Sequence, residues 1–293
     1  MDLRALLAGL AFVAMWSSAF TSARIIVVDA PPFLALSIRF AISGALALAI
    51  GRALGQRISL ERRLWRPIVV FGICQNALYL GLIFVAVQTV EASVAVVVAS
   101  TLPLLVAALD RIVFGMRLSA LAVGGLAAGL GGVLVITAAR LGAGLDPLGL
   151  AYCVGAVLAL AVATLTVRGA SAGGNLWMVV GLQMLVGGAA LLPVSILLET
   201  WQVTWTASMI GAFWYTVLVP GLAATMIWFW LVGRIGATRA STFHFLNPFL
   251  GVAIAAVVLG ELVTLRDFVG VAIIMAGILA VQLSRPVPAP VRT

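Results

Sequence analysis

Long apolar runs separated by short polar breaks dominate the chain from end to end. About ten of these runs reach the roughly 20 residues that a helix needs to cross the hydrocarbon core of a bilayer. Their apolar residues do not alternate with polar ones, which argues against the strands of a membrane barrel. The pattern predicts ten transmembrane helices, over Leu6–Val28, Phe33–Gly51, Pro67–Val87, Ser93–Leu109, Leu118–Ala138, Leu148–Arg168, Leu176–Leu198, Met209–Leu231, Thr238–Leu259 and Phe268–Leu283.

Proline and glycine mark the two halves of the chain in the same way. Landmarks of the first half recur at a constant step of 145 residues, as from Pro103 to Pro248. The matched sets are Pro103, Gly115, Gly125 and Gly132, and Pro248, Gly260, Gly270 and Gly277. This step predicts an internal duplication, with five-helix repeats over 1–140 and 146–285 and a cytoplasmic tail over 286–293. Because each repeat has an odd number of spans, we expect the second to be inserted upside down.

Composition excludes an ordinary soluble domain. The chain is 64% hydrophobic and only 9% charged, with a mean hydropathy of +1.24, whereas about a quarter of a soluble domain is charged. An all-α integral membrane protein is therefore the predicted fold class.

Charge predicts the orientation. All 17 basic residues are Arg, and most lie in alternate connections beginning with the N-terminus. The positive-inside rule places both termini in the cytoplasm. The net charge of +8 is explained by this topology and gives no reason to expect nucleic acid as a partner. The cluster Arg57–Arg66 is a candidate contact for anionic membrane lipids.

Polar side chains inside the spans are few, and each is a functional candidate because burying it in hydrocarbon is costly. No Asp or Glu lies near the centre of a span, although ion-coupled carriers commonly hold one there. His244 is open to three roles: a neutral hydrogen-bonding group, a structural group beside Pro248, or a proton acceptor. The predicted substrate-binding residues are Trp16, Asn76, Tyr79, Ser100, Thr101, His244 and Asn247.

Two further features leave alternatives open. Pro103 and Pro248 each remove a backbone hydrogen bond in mid-span, which suits either a hinge or a static kink. Arg39 either extends to lipid head groups, pairs with Glu91 or Asp29, or attracts a carboxylate in a transport pathway.

Aromatic and glycine patterns are less specific. Phe12, Trp16 and Phe20 recur at four-residue steps on the first helix, and such stripes serve packing more often than binding. Gly125 and Gly129 allow close helix approach, either within a monomer or in a weak homodimer.

The chain offers little for chemistry. Cys74 and Cys153 fall inside spans without metal-ligand spacing, and one His without a catalytic motif does not make an active site. We therefore expect no enzyme activity, no metal and no cofactor.

The ordered set of motifs resembles the drug/metabolite transporter superfamily, in its ten-helix EamA-type branch. The resemblance covers about residues 5–283, and one departure is Met116, where the first repeat would usually have the Glu matched by Glu261. The motifs are Trp16-Ser17-Ser18-Ala19-Phe20, Ile38-Arg39-Phe40, Ala92–Pro103, Ala237–Pro248, and Leu259-Gly260-Glu261-Leu262-Val263 leading into Gly270 and Gly277.

The resemblance implies two inverted five-helix repeats around a central cavity. It also implies movement of a small-molecule substrate, often an amino acid, outward across the bacterial inner membrane. The aromatic residues and the lack of a buried acid are similar to exporters of aromatic amino acids. The resulting hypothesis is a multi-pass exporter of aromatic or hydrophobic amino acids that works by alternating access without ion coupling. The alternative is a proton-coupled drug or metabolite efflux antiporter.

Overall fold

A computed structural model describes residues 3–57, 62–114, 119–141, 144–166, 175–235 and 242–284. The described residues form helices and connections, without strands. The first half contains α1 (Leu3–Asp29), α2 (Pro32–Ala53), α3 (Arg62–Phe71), α4 (Leu80–Ala86), α5 (Ala92–Ala99), α6 (Leu102–Phe114) and α7 (Ala120–Leu141). The second half contains α8 (Pro147–Thr166), α9 (Leu176–Leu198), α10 (Ala207–Thr216), α11 (Ala224–Ile235), α12 (Asn247–Leu259) and α13 (Leu265–Leu283).

Nine helical stretches within the described ranges are long and apolar enough to cross a membrane. A tenth apolar helix, Phe243–Leu259, is shorter, and residues 238–241 of the predicted ninth span lie outside those ranges. The prediction of an all-helical membrane protein with ten apolar helices is confirmed. We number the spans first to tenth in the order α1, α2, α3–α4, α5–α6, α7, α8, α9, α10–α11, α12 and α13.

The third and eighth spans both contain π-helical turns, which the sequence did not predict. These turns cover Gly72–Tyr79 in the third span and Val217–Ala223 in the eighth. Their starting residues are separated by the same step that separates Pro103 from Pro248. Wide turns of this kind leave some carbonyls without their usual partners and occur frequently at functional sites.

The fourth and ninth spans are broken at equivalent points. In the fourth, α5 ends at Ala99 and α6 begins at Leu102; in the ninth, a 3₁₀ turn over Thr242–Leu246 leads into α12. Pro103 and Pro248 are each the second residue of the helix that follows the break. Proline is tolerated there because a helix has no internal partner for the N–H groups of its first turn.

The helices form two compact units. The first unit comprises Met1–Thr21, Val90–Leu150 and Met226–Thr293, and the second comprises Ser22–Thr89 and Ala151–Thr225. Each unit draws helices from both halves of the chain. The boundaries 1–140 and 146–285 describe repetition along the sequence, and they stay a prediction.

In the first unit, the fifth and tenth spans touch backbone to backbone at glycines. A Cβ on Gly125 would lie 2.7 Å from the carbonyl oxygen of Gly277, and one on Gly132 would lie 2.8 Å from that of Gly270. These contacts require glycine on both helices. A Cβ on Gly129 would lie 2.3 Å from Leu104 Cδ1, so the Gly125-x-x-x-Gly129 motif packs within the chain.

In the second unit, the second and seventh spans cross in the same manner. A Cβ on Gly44 would lie 3.0 Å from the carbonyl oxygen of Gly181, and one on Gly188 would lie 3.2 Å from that of Ser37. On the third span, a Cβ on Gly72 would lie 2.7 Å from the carbonyl oxygen of Gln183. Small residues therefore bring three helices of this unit close together.

Two glutamates cap helices from a distance in the chain. In the second unit, the Glu199 carboxylate accepts the N–H groups of Phe33 and Leu34 at 2.7 and 2.9 Å. In the first unit, the Glu261 carboxylate accepts those of Ala92 and Ser93 at 2.7 and 3.0 Å. An anion at a helix N-terminus satisfies free N–H groups and favours the helix dipole. This is the structural role of the Glu in the Gly260-Glu261 turn, whereas Met116 lies outside the described residues.

Arg140 ties three helices of the first unit together. Its guanidinium pairs with Glu91, which precedes α5, and with Asp267 in the first turn of α13 at 3.0 Å. Asp267 also accepts the N–H of Thr264 at 2.7 Å, which closes a capping box at the start of α13. Arg140 therefore holds the ends of the fourth, fifth and tenth spans.

Candidate functional site

An aromatic cluster surrounds His244 in the first unit, and we call its four members Phe12, Trp16, Trp228 and His244 the His244 cluster. The ring centroid of His244 lies 5.2 Å from that of Phe12, 6.3 Å from Trp16 and 5.0 Å from Trp228. The rings of Phe12 and Trp16 stand nearly perpendicular to the imidazole, at 87° and 88°. Edge-to-face contact of this kind is favourable because ring edges carry positive and ring faces negative partial charge.

Helical spacing and the break in the ninth span place these rings. Phe12 and Trp16 are four residues apart on α1, so they share one face of the helix, with centroids 5.8 Å apart. Trp228 lies on α11 and contacts Phe12 at 4.9 Å. His244 lies in the 3₁₀ turn before α12. Close approach of the first span to this turn depends on Gly9, where a Cβ would lie 2.2 Å from the Phe243 ring.

Hydrogen bonds orient the imidazole. The side-chain nitrogen of Asn247 lies 3.0 Å from His244 Nδ1. An amide nitrogen only donates, so Nδ1 accepts and the neutral ring carries its proton on Nε2. The Ser17 hydroxyl in turn donates to the side-chain and backbone oxygens of Asn247, both at 3.4 Å. The Nε2–H group is therefore left as the donor that His244 can offer to a ligand.

Part of the His244 cluster is accessible. Trp16, Trp228 and His244 are half-buried, whereas Phe12 and the orienting residue Asn247 are buried. The cluster thus has a buried part that holds it in place, half-buried aromatic surface and one hydrogen-bond donor. Such a surface can bind a flat apolar group beside a polar one.

Ser100 and Thr101 lie at the break in the fourth span, in the same unit. Both are buried, and their hydroxyls donate to the carbonyl oxygens of Val96 and Val98, each at 2.7 Å. These bonds stabilise the end of α5, as a static kink requires, and they leave the hydroxyl lone pairs as acceptors. The α5 and α12 helices meet at Gly251, where a Cβ would lie 2.4 Å from Val96.

Asn76 and Tyr79 belong to the second unit and lie in the π-helical turns of the third span. The Asn76 amide donates to the carbonyl oxygen of Gln183 on the seventh span at 2.8 Å. A Cβ on Gly187 would lie 2.3 Å from Asn76 Cβ, so the two helices are nearly in contact there. Tyr79 is buried, with 2% of its surface exposed. Asn76 therefore helps to pack the third span against the seventh.

Arg39 is buried within the second span, and its expected ion pairs are absent. Asp29 instead accepts a hydrogen bond from Thr206 at 2.5 Å, and Glu91 pairs with Arg140. The predicted pairing with Asp29 is therefore wrong, and Glu91 has Arg140 as its partner within the first unit. The Arg39 guanidinium lies over the ring of Phe40, 5.2 Å from its centroid.

Metal binding finds no support among the described residues. No group of three or more His, Cys, Asp or Glu side chains is close enough to hold an ion, and Cys74 and Cys153 are free thiols.

A protein-family model described as "EamA-like transporter family" matches the chain twice, over residues 3–138 and 147–283. The chain belongs to the EamA-like transporter family. It is therefore a multi-pass membrane transporter, and the resemblance inferred from its motifs is confirmed.

Relatives and a solved structure agree with this family. The "Uncharacterized inner membrane transporter YedA" of Escherichia coli K12 is 26% identical over 94% of this chain and 92% of its own length. The "Aromatic amino acid exporter YddG" of Ancylobacter novellus is 36% identical over 112 residues, which is 38% of this chain and 39% of that protein. A crystal structure with 23% identity has the same fold, with a TM-score of 0.67 over 96% of this chain and 98% of that one.

The sequence did not point to every residue that the structure places at the His244 cluster. Phe12 was attributed to packing, and Trp228 was one of several tryptophans without a signal linking it to His244. Ser17 was part of a motif, but its bond to Asn247 joins residues 230 positions apart. Only the geometry of the folded chain connects these residues.

Proposed function

We propose that this transporter exports aromatic or hydrophobic amino acids across the bacterial inner membrane by alternating access, without ion coupling. The observation that carries the proposal is the His244 cluster, in which half-buried aromatic rings adjoin one oriented hydrogen-bond donor. The partial likeness to an aromatic amino acid exporter and the fuller likeness to an inner membrane transporter support the substrate class and the location.

The side chain of the substrate would contact Trp16 and Trp228. Offset or edge-to-face contact between two aromatic rings contributes about 0.5–1.5 kcal/mol beyond the area buried. Two such contacts favour an aromatic over an aliphatic amino acid by about 5- to 150-fold, since every 1.4 kcal/mol is tenfold.

The head group of the substrate would be met by neutral donors and acceptors. His244 offers Nε2–H, and Asn247 holds the imidazole in the orientation that makes this possible. Ser100 and Thr101 offer hydroxyl lone pairs at the break of the fourth span. We also assign Asn76 and Tyr79 to the pathway, on the basis of their place in the π-helical turns. None of these groups needs to change its charge during transport.

Inverted repeats with cytoplasmic termini are part of the proposal. The equivalent π-helical turns and the equivalent breaks at Pro103 and Pro248 support a duplicated architecture. The glycine contacts add a second line of support, because Gly125 meets the counterpart of Gly132, and Gly132 meets the counterpart of Gly125. A two-fold relation between antiparallel copies produces such reciprocal contacts. Pro103 and Pro248 would then act as paired hinges.

Counterflow of labelled Phe in liposomes tests the proposal. The purified chain, without an imposed ion gradient, should exchange Phe faster than empty liposomes do. Trp228→Ala and His244→Ala should each reduce the apparent affinity for Phe by about 3- to 10-fold, the first from one lost aromatic contact and the second from one lost hydrogen bond. Trp205→Ala is the matched control, because that Trp is 73% exposed. If the two cluster variants transport Phe as Trp205→Ala does, the site assignment is wrong.

A proton-coupled efflux antiporter is the second candidate. It is favoured by the three aromatic rings within 6.3 Å of the His244 ring, because aromatic faces attract a cation. Transport that occurs only under an imposed pH gradient, and that is lost in His244→Gln, would select this function over uncoupled export.

A further inference from the structure

Arg39 is a charged side chain without a counter-charge among the described residues of the second unit. Only 5% of its surface is exposed, and its Nε has no hydrogen-bond acceptor among the described residues. A buried charge is strongly unfavourable unless it is paired and hydrogen-bonded. Ionisable residues kept inside membrane spans therefore mark functional sites, with a partner to be identified.

The surroundings of Arg39 include a second unpartnered polar side chain. Ser43 is one helical turn further along α2 on the same face, is fully buried, and has a hydroxyl that is also without a described partner. Opposite both lies Gly221 in the π-helical turns of the eighth span. A Cβ there would lie 2.8 Å from the carbonyl oxygen of Thr216, 3.6 Å from Arg39 Nη2 and 3.6 Å from Ser43 Oγ. Because residue 221 is Gly, it adds no side chain beside these two donors.

The described acidic residues of the same unit already accept hydrogen bonds from other groups. Asp29 accepts the Thr206 hydroxyl, and Glu199 accepts two helix N–H groups together with the Ser195 hydroxyl at 2.7 Å. Neither carboxylate neutralises Arg39. The Phe40 ring, 5.2 Å from the guanidinium, is the aromatic contact of Arg39 within the described chain. A ring offers a cation modest stabilisation and no lone pair to accept a hydrogen bond.

We infer that Arg39 and Ser43 form a carboxylate-binding subsite. A guanidinium presents two parallel N–H groups that match the two oxygens of a carboxylate, and the Ser43 hydroxyl supplies a further donor. The ligand class is a small organic monocarboxylate. The assignment rests on the proposed function in one respect, that the carboxylate belongs to the transported molecule. With this subsite, amines that lack an acid group should be poor substrates.

Thermal unfolding of the purified full-length chain in detergent tests the subsite without any transport. The probe is 3-phenylpropionate, and 3-phenylpropionamide is its uncharged control. At constant ionic strength, 3-phenylpropionate should raise the apparent Tm of the wild type while the amide leaves it unchanged. Arg39→Gln should weaken binding of the acid about 10- to 100-fold, the range for a lost charged hydrogen bond. Arg39→Lys should retain part of the affinity, and Arg52→Gln, which removes an exposed charge from the same helix, should retain all of it.

The ligand-free proteins provide a second readout. Arg39→Gln removes an unpaired buried charge, so its Tm should equal or exceed that of the wild type. A lower Tm together with unchanged binding of 3-phenylpropionate would show a structural role and overturn the inference. Equal stabilisation by chloride would also overturn it, in favour of an inorganic-anion site. Binding that depends on Arg39, without any counterflow of Phe, would uphold the subsite and refute amino-acid export instead.

Discussion

Substituting two adjacent glycines of the fifth span tests how closely the fifth and tenth spans pack. A Cβ on Gly132 would lie 2.8 Å from the carbonyl oxygen of Gly270 and 2.8 Å from Ile274 Cγ1. A Cβ on the preceding Gly131 would have no atom within 4 Å. Gly132→Ala therefore changes the interface, whereas Gly131→Ala changes only the exposed side of the same helical turn.

The geometry gives the expected magnitude. Normal contact needs about 3.4 Å, so the two helices must separate by roughly 0.6 Å to accommodate the new methyl group at Gly132. Overpacking of this size costs about 1–3 kcal/mol. Both substitutions also stabilise the helix interior, by about 0.5–1 kcal/mol for Gly to Ala. Because that gain is common to both, the difference between the variants is the packing cost alone, about 1–3 kcal/mol.

Reversible unfolding of the purified protein in mixed micelles, followed by circular dichroism, measures this difference. Gly131→Ala should be slightly more stable than the wild type, and Gly132→Ala less stable than Gly131→Ala. Gly125→Ala and Gly124→Ala form a second adjacent pair, with a contact at 2.7 Å for the first and none within 4 Å for the second. Equal stability within both pairs would refute the backbone contact between the fifth and tenth spans.

Two other contacts give predictions for the same unfolding assay. Arg140→Ala leaves Asp267, which is 3% exposed, without its cation, and should cost about 2 kcal/mol, whereas Arg140→Lys should restore part of that loss. Asn76→Ala removes the hydrogen bond to Gln183 and should cost about 1–2 kcal/mol. The exposed substitution Arg52→Ala should change stability by less than about 0.5 kcal/mol, and a cost as large as that of Arg140→Ala would contradict the ion-pair argument.

The sequence was sufficient for the spans and for the places where they break. Hydrophobic length determines a membrane helix almost alone, so the predicted bounds agree closely with those of the structure, as in Leu176–Leu198. The break of the fourth span was predicted because Pro103 lacks an N–H. The π-helical turns of Gly72–Tyr79 were not predicted, since they contain no proline and depend on packing against the seventh span.

The candidate site was predictable only in part, because its residues are far apart in the chain. Polarity at membrane depth identified His244 and Asn247, which are near each other in sequence. It could not identify Trp228, which is one of eight tryptophans and differs from the others only in its contacts. For Arg39, the sequence offered Asp29 and Glu91 as acidic partners. It could not show which groups these two acids bind in the folded chain. A hydrogen bond such as that between Asp29 and Thr206 is a property of the fold.

The second and seventh spans each begin with a cap supplied by the other span's far end. One cap is a charged Glu and the other a neutral Gln, so substitutions at the two caps should affect stability unequally. Glu199, after the seventh span, caps the second, and Gln56, after the second span, accepts the N–H of Trp177 at the start of the seventh at 2.9 Å. Glu199→Gln loses an anion from a helix N-terminus and should cost about 1–2 kcal/mol. Gln56→Glu adds an anion but should gain less than about 0.5 kcal/mol, because Arg52 and Arg57 are close in sequence and attract the carboxylate in the unfolded chain as well. The attraction of the new carboxylate to the helix N-terminus is screened by salt, so the gain from Gln56→Glu should decrease between low and high ionic strength in the unfolding assay. A gain that does not change with salt would contradict an electrostatic origin of the stabilisation.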